Sequence, residues 1–135
     1  MADEAVSGGS GEGVKEAVRQ ILDGIIRHPW AKAAGIVKKS FGRDEDESVR
    51  QGTVGDSALF AGRIATLYGI GEKLLQEFEE GGPDRQEISS GATKICVLDL
   101  DPDTVLVAVV DLEVEGHAAS QPILEEARKR LREVG

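Results

Sequence analysis

The chain reads as an α/β (α+β) sandwich in which a five-stranded antiparallel sheet carries a long central helix, with elements in the order α-β-β-α-β-β-β-α. Three observations predict this. The 135 residues are enough to bury one core without metal or disulfide support. Thr93 to Leu100 and Thr104 to Leu112 are rich in Ile, Val and Leu, and Asp101-Pro102-Asp103 between them has the composition of a tight turn, so the pair reads as a hairpin. Ser57 to Glu80 repeats apolar residues at three- and four-residue steps, the period of a helix.

Taken in order, Met1 to Gly13 holds Gly8, Gly9, Gly11 and Gly13 among Ala, Glu and Ser. It can bury too little apolar surface to order itself and is expected to be a flexible tail before a single domain over 14–135. Val14, Ala17, Val18, Ile21, Leu22 and Ile25 then make the stripe of a first helix over 14–28. His28-Pro29 ends it, because the residue before a proline is pushed out of helical conformation. Ala33 to Lys39 is the first strand, Phe41 to Ser48 a solvated loop with the acidic run Asp44 to Glu47, and Ser48 to Val54 a weaker second strand. The acidic run has a functional reading as a docking site for a basic partner. Asp56 or Ser57 caps the long helix, and Gly81-Gly82-Pro83 stops it. Arg85 to Ser90 is a modest third strand ahead of the hairpin. The last helix starts near Ser120, with Pro122 in its first turn, Glu125 and Glu126 early and Arg128, Lys129, Arg130 and Arg132 late, the charge order that suits the helix dipole.

The long helix has two faces. Phe60, Ile64, Leu67, Gly71, Leu74 and Phe78 form the stripe expected to meet the sheet. Ala58, Gly62, Ala65 and Gly69 recur at the same steps two residues out of phase, which at about 100° per residue puts them on the opposite side. A surface helix would carry charge there, and each glycine costs about 1 kcal/mol relative to alanine. Small residues do let a second backbone approach closely. The candidate dimer interface is therefore Ala58, Gly62, Ala65 and Gly69, with Leu59 and Ile70 on a flank shared with Arg63, Thr66 and Lys73.

Charge and composition exclude several classes of function. The net charge of −9 argues against nucleic acid and against an anionic membrane surface, since both need a basic face. The single cysteine, Cys96, rules out an internal disulfide framework, and no Cys/His pair stands at zinc spacing, so neither a metal nor a cofactor is expected. A reducing cytoplasm fits. No apolar run approaches the roughly 20 residues of a membrane span, and the N-terminus lacks signal-peptide features, so no direct membrane insertion is expected.

Ala33-Ala34-Gly35-Ile36-Val37 after the first helix, Ile88-Ser89-Ser90-Gly91-Ala92-Thr93-Lys94-Ile95-Cys96-Val97, and Thr104-Val105-Leu106-Val107-Ala108-Val109-Val110 resemble the first, third-to-fourth and fifth strands of the roadblock/dynein light-chain domains. The resemblance covers about Val14 to Val134. It departs between strands one and two, where the family usually has a short aspartate-glycine turn and this chain has the longer, charged Lys38 to Ser48. The resemblance implies a dimer formed by pairing of the long central helices and the third strands. In the prokaryotic and lysosomal relatives it also implies association with Ras-like GTPases.

Segments that imitate catalytic motifs do not meet their requirements. Asp99-Leu100-Asp101-Pro102-Asp103-Thr104 follows an apolar strand as a phosphatase nucleophile loop does, but its hydroxyl residue is one position late and the next strand begins at once. As a calcium loop it would need glycine at Thr104 and glutamate at Val110. Gly8 to Lys15 is no phosphate loop, because Val14 separates Gly13 from Lys15 and no strand precedes it. Gly69-Ile70-Gly71 sits inside a helix rather than at a strand-to-helix turn. His28 and His117 lie at element boundaries, Cys96 reads as a buried thiol and Trp30 as a packing anchor. No catalytic residue is nominated. The expected function is a non-catalytic interaction domain, homodimeric or paired with a paralogue, that regulates or scaffolds a Ras-like GTPase. The alternative is a small-molecule-sensing module, which would need a polar-lined pocket between helix and sheet.

Overall fold

The computed structural model describes the backbone over residues 2–39, 51–52, 57–79 and 81–134, and side chains over 13–39, 59–79 and 81–134. In chain order the elements are α1 (Ala2–Ile26), β1 (Ala31–Lys38), β2 (Gln51–Gly52), α2 (Ser57–Gln76), β3 (Arg85–Ser89), β4 (Thr93–Asp99), β5 (Thr104–Asp111) and α3 (Ser120–Val134), the last preceded by a 3-10 turn at His117–Ala119. Four strands of ordinary length make an antiparallel sheet in the order β1-β5-β4-β3. Gln51–Gly52 adds only a two-residue ladder beyond β1, opposite Ala34 and Ala33. The rest of the expected second strand, and the acidic loop with Asp44 to Glu47, lie outside the described residues.

Strand alternation sorts the aliphatic side chains onto two faces, and each face has its own core. Ala34, Ile36, Cys96, Leu98, Leu106, Ala108 and Val110 point to one side, under Ile21, Leu22 and Ile25 of α1 and Leu124, Ala127 and Leu131 of α3. Val37, Val97, Val105 and Val107 point to the other, under Ala61, Ile64 and Tyr68 of α2. Trp30 is buried in the first core and stacks on His28, with centroids 4.9 Å apart. The expected hairpin joins β4 to β5. Its turn is held by Asp101, whose Oδ1 accepts from the amides of Asp103 and Thr104 at 2.8 Å, the way short acidic side chains fix tight turns.

Three boundaries differ from expectation. The backbone of α1 is helical from Ala2, although the apolar stripe that seats the helix starts at Val14; no proline interrupts it, and a formed helix gains one hydrogen bond per added residue. α1 also stops at Ile26, before His28, and the His28 amide closes a tighter bond to the Ile25 carbonyl at 3.1 Å. α2 stops at Gln76, short of the glycines. Glu77, Phe78 and Glu79 donate to carbonyls three residues back, and Glu79 takes φ 62°, the left-handed position that glycine more often fills.

The larger correction is the rotational phase of α2. The residues turned inward are Ala61, Ile64, Ala65 and Tyr68, while Phe60 and Leu67 flank them half-buried. Leu74 and Phe78, expected in the core stripe, are 59% and 74% exposed. Ala65, expected on the outer face, is 4% exposed. The helix is apolar over so much of its circumference that period alone does not select the inward side. The choice is made by contacts at its C-terminal half. A Cβ on Gly71 would lie 2.6 Å from Gln86 Nε2 and 3.2 Å from Pro83 Cγ, so glycine there lets the helix settle onto β3, where Gln86 Nε2 donates to the Leu67 carbonyl at 3.2 Å.

Candidate interaction site

The register of the outermost strand builds one side of the site. Gln86 stands opposite Val97 and Ile88 opposite Ile95, and directly opposed residues share a face, so Ile88 projects on the α2 side of the sheet. It is 50% exposed. Strand β3 ends the sheet, and its outer edge presents backbone donors and acceptors that no described strand pairs, the feature that invites another chain.

The helix supplies the other side. Phe60 and Leu67 pack with Ile95 at the margin of the second core. Further round the same flank, by the 100° step of the helix, come Leu59, Ile70 and Leu74, at 50%, 54% and 59% exposed. These residues and Ile88 are exposed apolar side chains on the side of the sheet that α2 covers, and a cluster of such side chains is the kind of surface that marks a protein–protein contact. Gly69 lies beside it, and a Cβ there would meet nothing within 4 Å; Gly62, about two turns earlier, is half-buried. Of the expected interface, then, Leu59, Gly62, Gly69 and Ile70 lie on or beside the exposed flank. Ala65 is spent on the chain's own packing, and the side chain of Ala58 lies outside the described residues.

Charged residues gather at the hairpin end of the sheet. Lys39 Nζ lies 2.7 Å from Asp99 Oδ1 and 4.6 Å over the Tyr68 ring, and the Tyr68 hydroxyl donates to the same Asp99 oxygen at 3.3 Å. Burial opposes the charge on Lys39, yet the hydrogen bond and attraction to Asp99 prevail and its pKa is raised. Burial raises that of Tyr68 as well. Arg128, read from sequence only as a dipole-matching charge, is buried: it bonds Glu125 Oε1 at 2.7 Å, Asp84 Oδ1 at 3.0 Å and the carbonyls of Asp84 and Asp99 at 3.1 Å. Arg132 adds bonds to the carbonyls of Leu100 and Asp99. Asp99 is thus engaged by cations and a phenol, an arrangement that ties β4, α2 and α3 together and commits the Asp99 carboxylate to these contacts. This network was not legible in the sequence, because Arg128 reaches Asp99 and Asp84 across 29 and 44 residues.

The other candidates resolve as packing. Cys96 is fully buried in the first core, and burial pushes its thiol pKa up, which disfavours the reactive thiolate. Among the described residues no His, Cys, Asp and Glu group could hold a metal ion, and no helix is long and apolar enough to cross a membrane. A shallow groove of about 300 Å³ lies between α1 and α3, floored by Ile21, Ile25, Ile123 and Ala127.

No protein-family model and no curated protein matches the sequence. Solved structures do match the fold. The gliding protein MglB from Thermus thermophilus superposes with a TM-score of 0.76 at 13% identity, covering 88% of each chain. Myxococcus xanthus MglB gives 0.74 at 16%, covering 87% of this chain and 93% of its own. A Roadblock/LC7 domain from Streptomyces avermitilis gives 0.67 at 19%, covering 84% and 93%. An α/β chain with its antiparallel sheet between α2 on one face and α1 with α3 on the other therefore has the fold of the MglB and roadblock/LC7 proteins.

Proposed function

We propose that the protein is a non-catalytic interaction domain that pairs two copies through the outer flank of α2 and the edge of β3, and that the dimer regulates or scaffolds a Ras-like GTPase. The observation that carries the pairing is that exposed Leu59, Ile70, Leu74 and Ile88 stand on the side of the sheet that α2 covers, together with a β3 edge that no described strand pairs. Glycine at 69 supports close helix approach, since nothing in the chain itself occupies the space beside it. Pairing of β3 edges would satisfy their backbone groups and continue the sheet across the two copies.

The GTPase rests on the resemblance to the roadblock family and on the likeness in fold to MglB. In this reading Gln51–Gly52 belongs to a fifth strand, the domain proper is 14–135 with the start of α1 extending ahead of it, and the protein works in the cytoplasm. Regulation would come from contacting the two nucleotide states of the GTPase unequally, because a partner shifts an equilibrium only by its difference in affinity for the two states. No side chain of this chain is asked to do chemistry.

The test is to titrate the dimer with the Ras-like GTPases of the source organism, each loaded with GDP or a non-hydrolysable GTP analogue. One nucleotide state of one GTPase should bind at least about tenfold more tightly, a difference of about 1.4 kcal/mol. Equal or absent binding across the set contradicts the GTPase reading and leaves the pairing to its own test.

A further inference from the structure

Where two copies pair through both α2 and β3, as proposed above, one two-fold axis serves both elements. An axis perpendicular to the sheet keeps the two α2 helices on one face, and it runs both the helices and the β3 edges antiparallel. The stretch of α2 that lies against β3 is marked by Gln86, whose Nε2 donates to the Leu67 carbonyl at 3.2 Å and fills the space beside Gly71. Within 67–71 only Ile70 is exposed, at 54%. The axis therefore crosses the helix pair at Ile70, which meets its own copy there.

About such an axis, a residue a given number of places before Ile70 faces the residue of the second copy the same number of places after it. Seven places either way stand Arg63 and Glu77, opposite in charge and both exposed. Seven residues turn a helix by about 700°, roughly 20° short of two full turns, so Arg63, Ile70 and Glu77 lie nearly on one line. Glu77 follows the last residue of α2, and its amide bonds the Leu74 carbonyl at 3.3 Å, which carries the turn on. Among the described residues neither Arg63 nor Glu77 has an ion-pair partner within the chain. Four places either way stand Thr66 and Leu74, both exposed. The Thr66 hydroxyl donates to the Gly62 carbonyl at 3.0 Å, which leaves its methyl group to meet Leu74 of the second copy.

We infer that the chain across α2 is a second copy of this same protein, and that reciprocal Arg63–Glu77 ion pairs on either side of an Ile70–Ile70 contact set the register and select self over a related chain. The two-fold repeats each contact, so two such pairs form at once. At an exposed rim they add little affinity but govern the choice of partner, because like charges brought together there are costly. A paralogue with a like charge at either position is disfavoured.

Sedimentation equilibrium of the full chain at matched concentrations, with native mass spectrometry of the mixture, tests this on the wild type, Arg63→Glu, Glu77→Arg, an equimolar mixture of the two variants, and the double variant. Arginine and glutamate are both good helix formers at exposed positions, so every variant keeps its fold. Each single variant sets two like-charged pairs in its homodimer and should dimerise about tenfold more weakly or worse. The mixture should form a 1:1 heterodimer of near wild-type affinity, because each variant supplies the charge that the other needs at both contacts. The double variant, with its charges exchanged, should pair with itself and not with the wild type. Raised salt should weaken the wild-type dimer and strengthen those of the single variants. Single variants that dimerise as tightly as the wild type, or a mixture that favours the heterodimer no more than chance, overturn the inference and leave the α2/β3 pairing standing. A wild type that stays monomeric overturns both.

Discussion

Cys96 shows how a residue that could be chemical becomes structural. It alternates with Ile95 and Val97 along β4, and its side of the strand is roofed by α1 and α3, so the thiol has no exposed surface and its pKa is pushed up by burial. Attack on a thiol reagent requires both access and thiolate. The native protein should therefore label slowly with a maleimide, and denaturant should bring labelling to the rate of a free thiol. Rapid stoichiometric labelling of native protein would contradict the placement of β4. Lys39 and Tyr68 make a second residue-scale prediction. The folded chain holds the proton of each more tightly than the unfolded chain does, through the Lys39–Asp99 pair and the burial of the phenol. The stability this gives is fully present below the ordinary lysine and tyrosine pKa values, about 10, and is lost as pH rises through the raised values of the folded chain. Denaturant midpoints measured upward from neutral pH should fall at strongly alkaline pH, and Lys39→Met should fall less steeply. An identical alkaline slope would show that Lys39 contributes nothing to it.

At the scale of the element, the strands were legible and the face of the long helix was not. Runs such as Val105 to Val110 are long, aliphatic and bounded by Asp-containing turns, and no alternative to a buried strand competes for them. The Asp101-Pro102-Asp103 turn was legible because its chemistry is local: one carboxylate and two backbone amides close it. Helix α2 is different. Leu59, Phe60, Ala61, Ile64, Ala65, Leu67, Tyr68, Ile70 and Leu74 cover most of its circumference, so more than one stripe fits the helical period. What selects the inward face is the seat of Tyr68 beside Lys39 and Asp99 and the fit of Gly71 against Gln86, and both depend on residues distant in sequence. For the same reason Ala65 moved from the expected interface into the core, while Leu59, Gly69 and Ile70 kept an outward or open position. The charged anchor around Arg128 was hidden for a related reason, since an arginine in the second half of a helix looks the same in sequence whether it is solvated or buried.

At the scale of the molecule, the described residues of this acidic chain build two separate cores and no glycine loop at a strand-to-helix turn of the kind that cradles a phosphate. Gly8, Gly9, Gly11 and Gly13 lie within α1 rather than at a strand-to-helix turn, and the Asp99 carboxylate is occupied by Lys39, Tyr68 and Arg132. Purified protein should neither bind nor hydrolyse GTP or ATP, since phosphate loops need a strand-to-helix turn with its lysine in place. Turnover that survives repeated purification and is abolished by Asp99→Asn would contradict this.

The central claim is that two copies meet across the outer flank of α2, and Gly69→Leu tests it most directly by separating helix stability from assembly. In the single chain the new side chain enters open space and should raise helix propensity by nearly 1 kcal/mol. In a close-packed pair of helices it should cost roughly 1–3 kcal/mol on each facing side. Sedimentation equilibrium of wild type and Gly69→Leu at matched concentrations should show a dimer for the first and a shift toward monomer for the second, with thermal stability of the monomer unchanged or raised. A wild type that sediments as a monomer, or a Gly69→Leu protein that dimerises as tightly as the wild type, would contradict the claim.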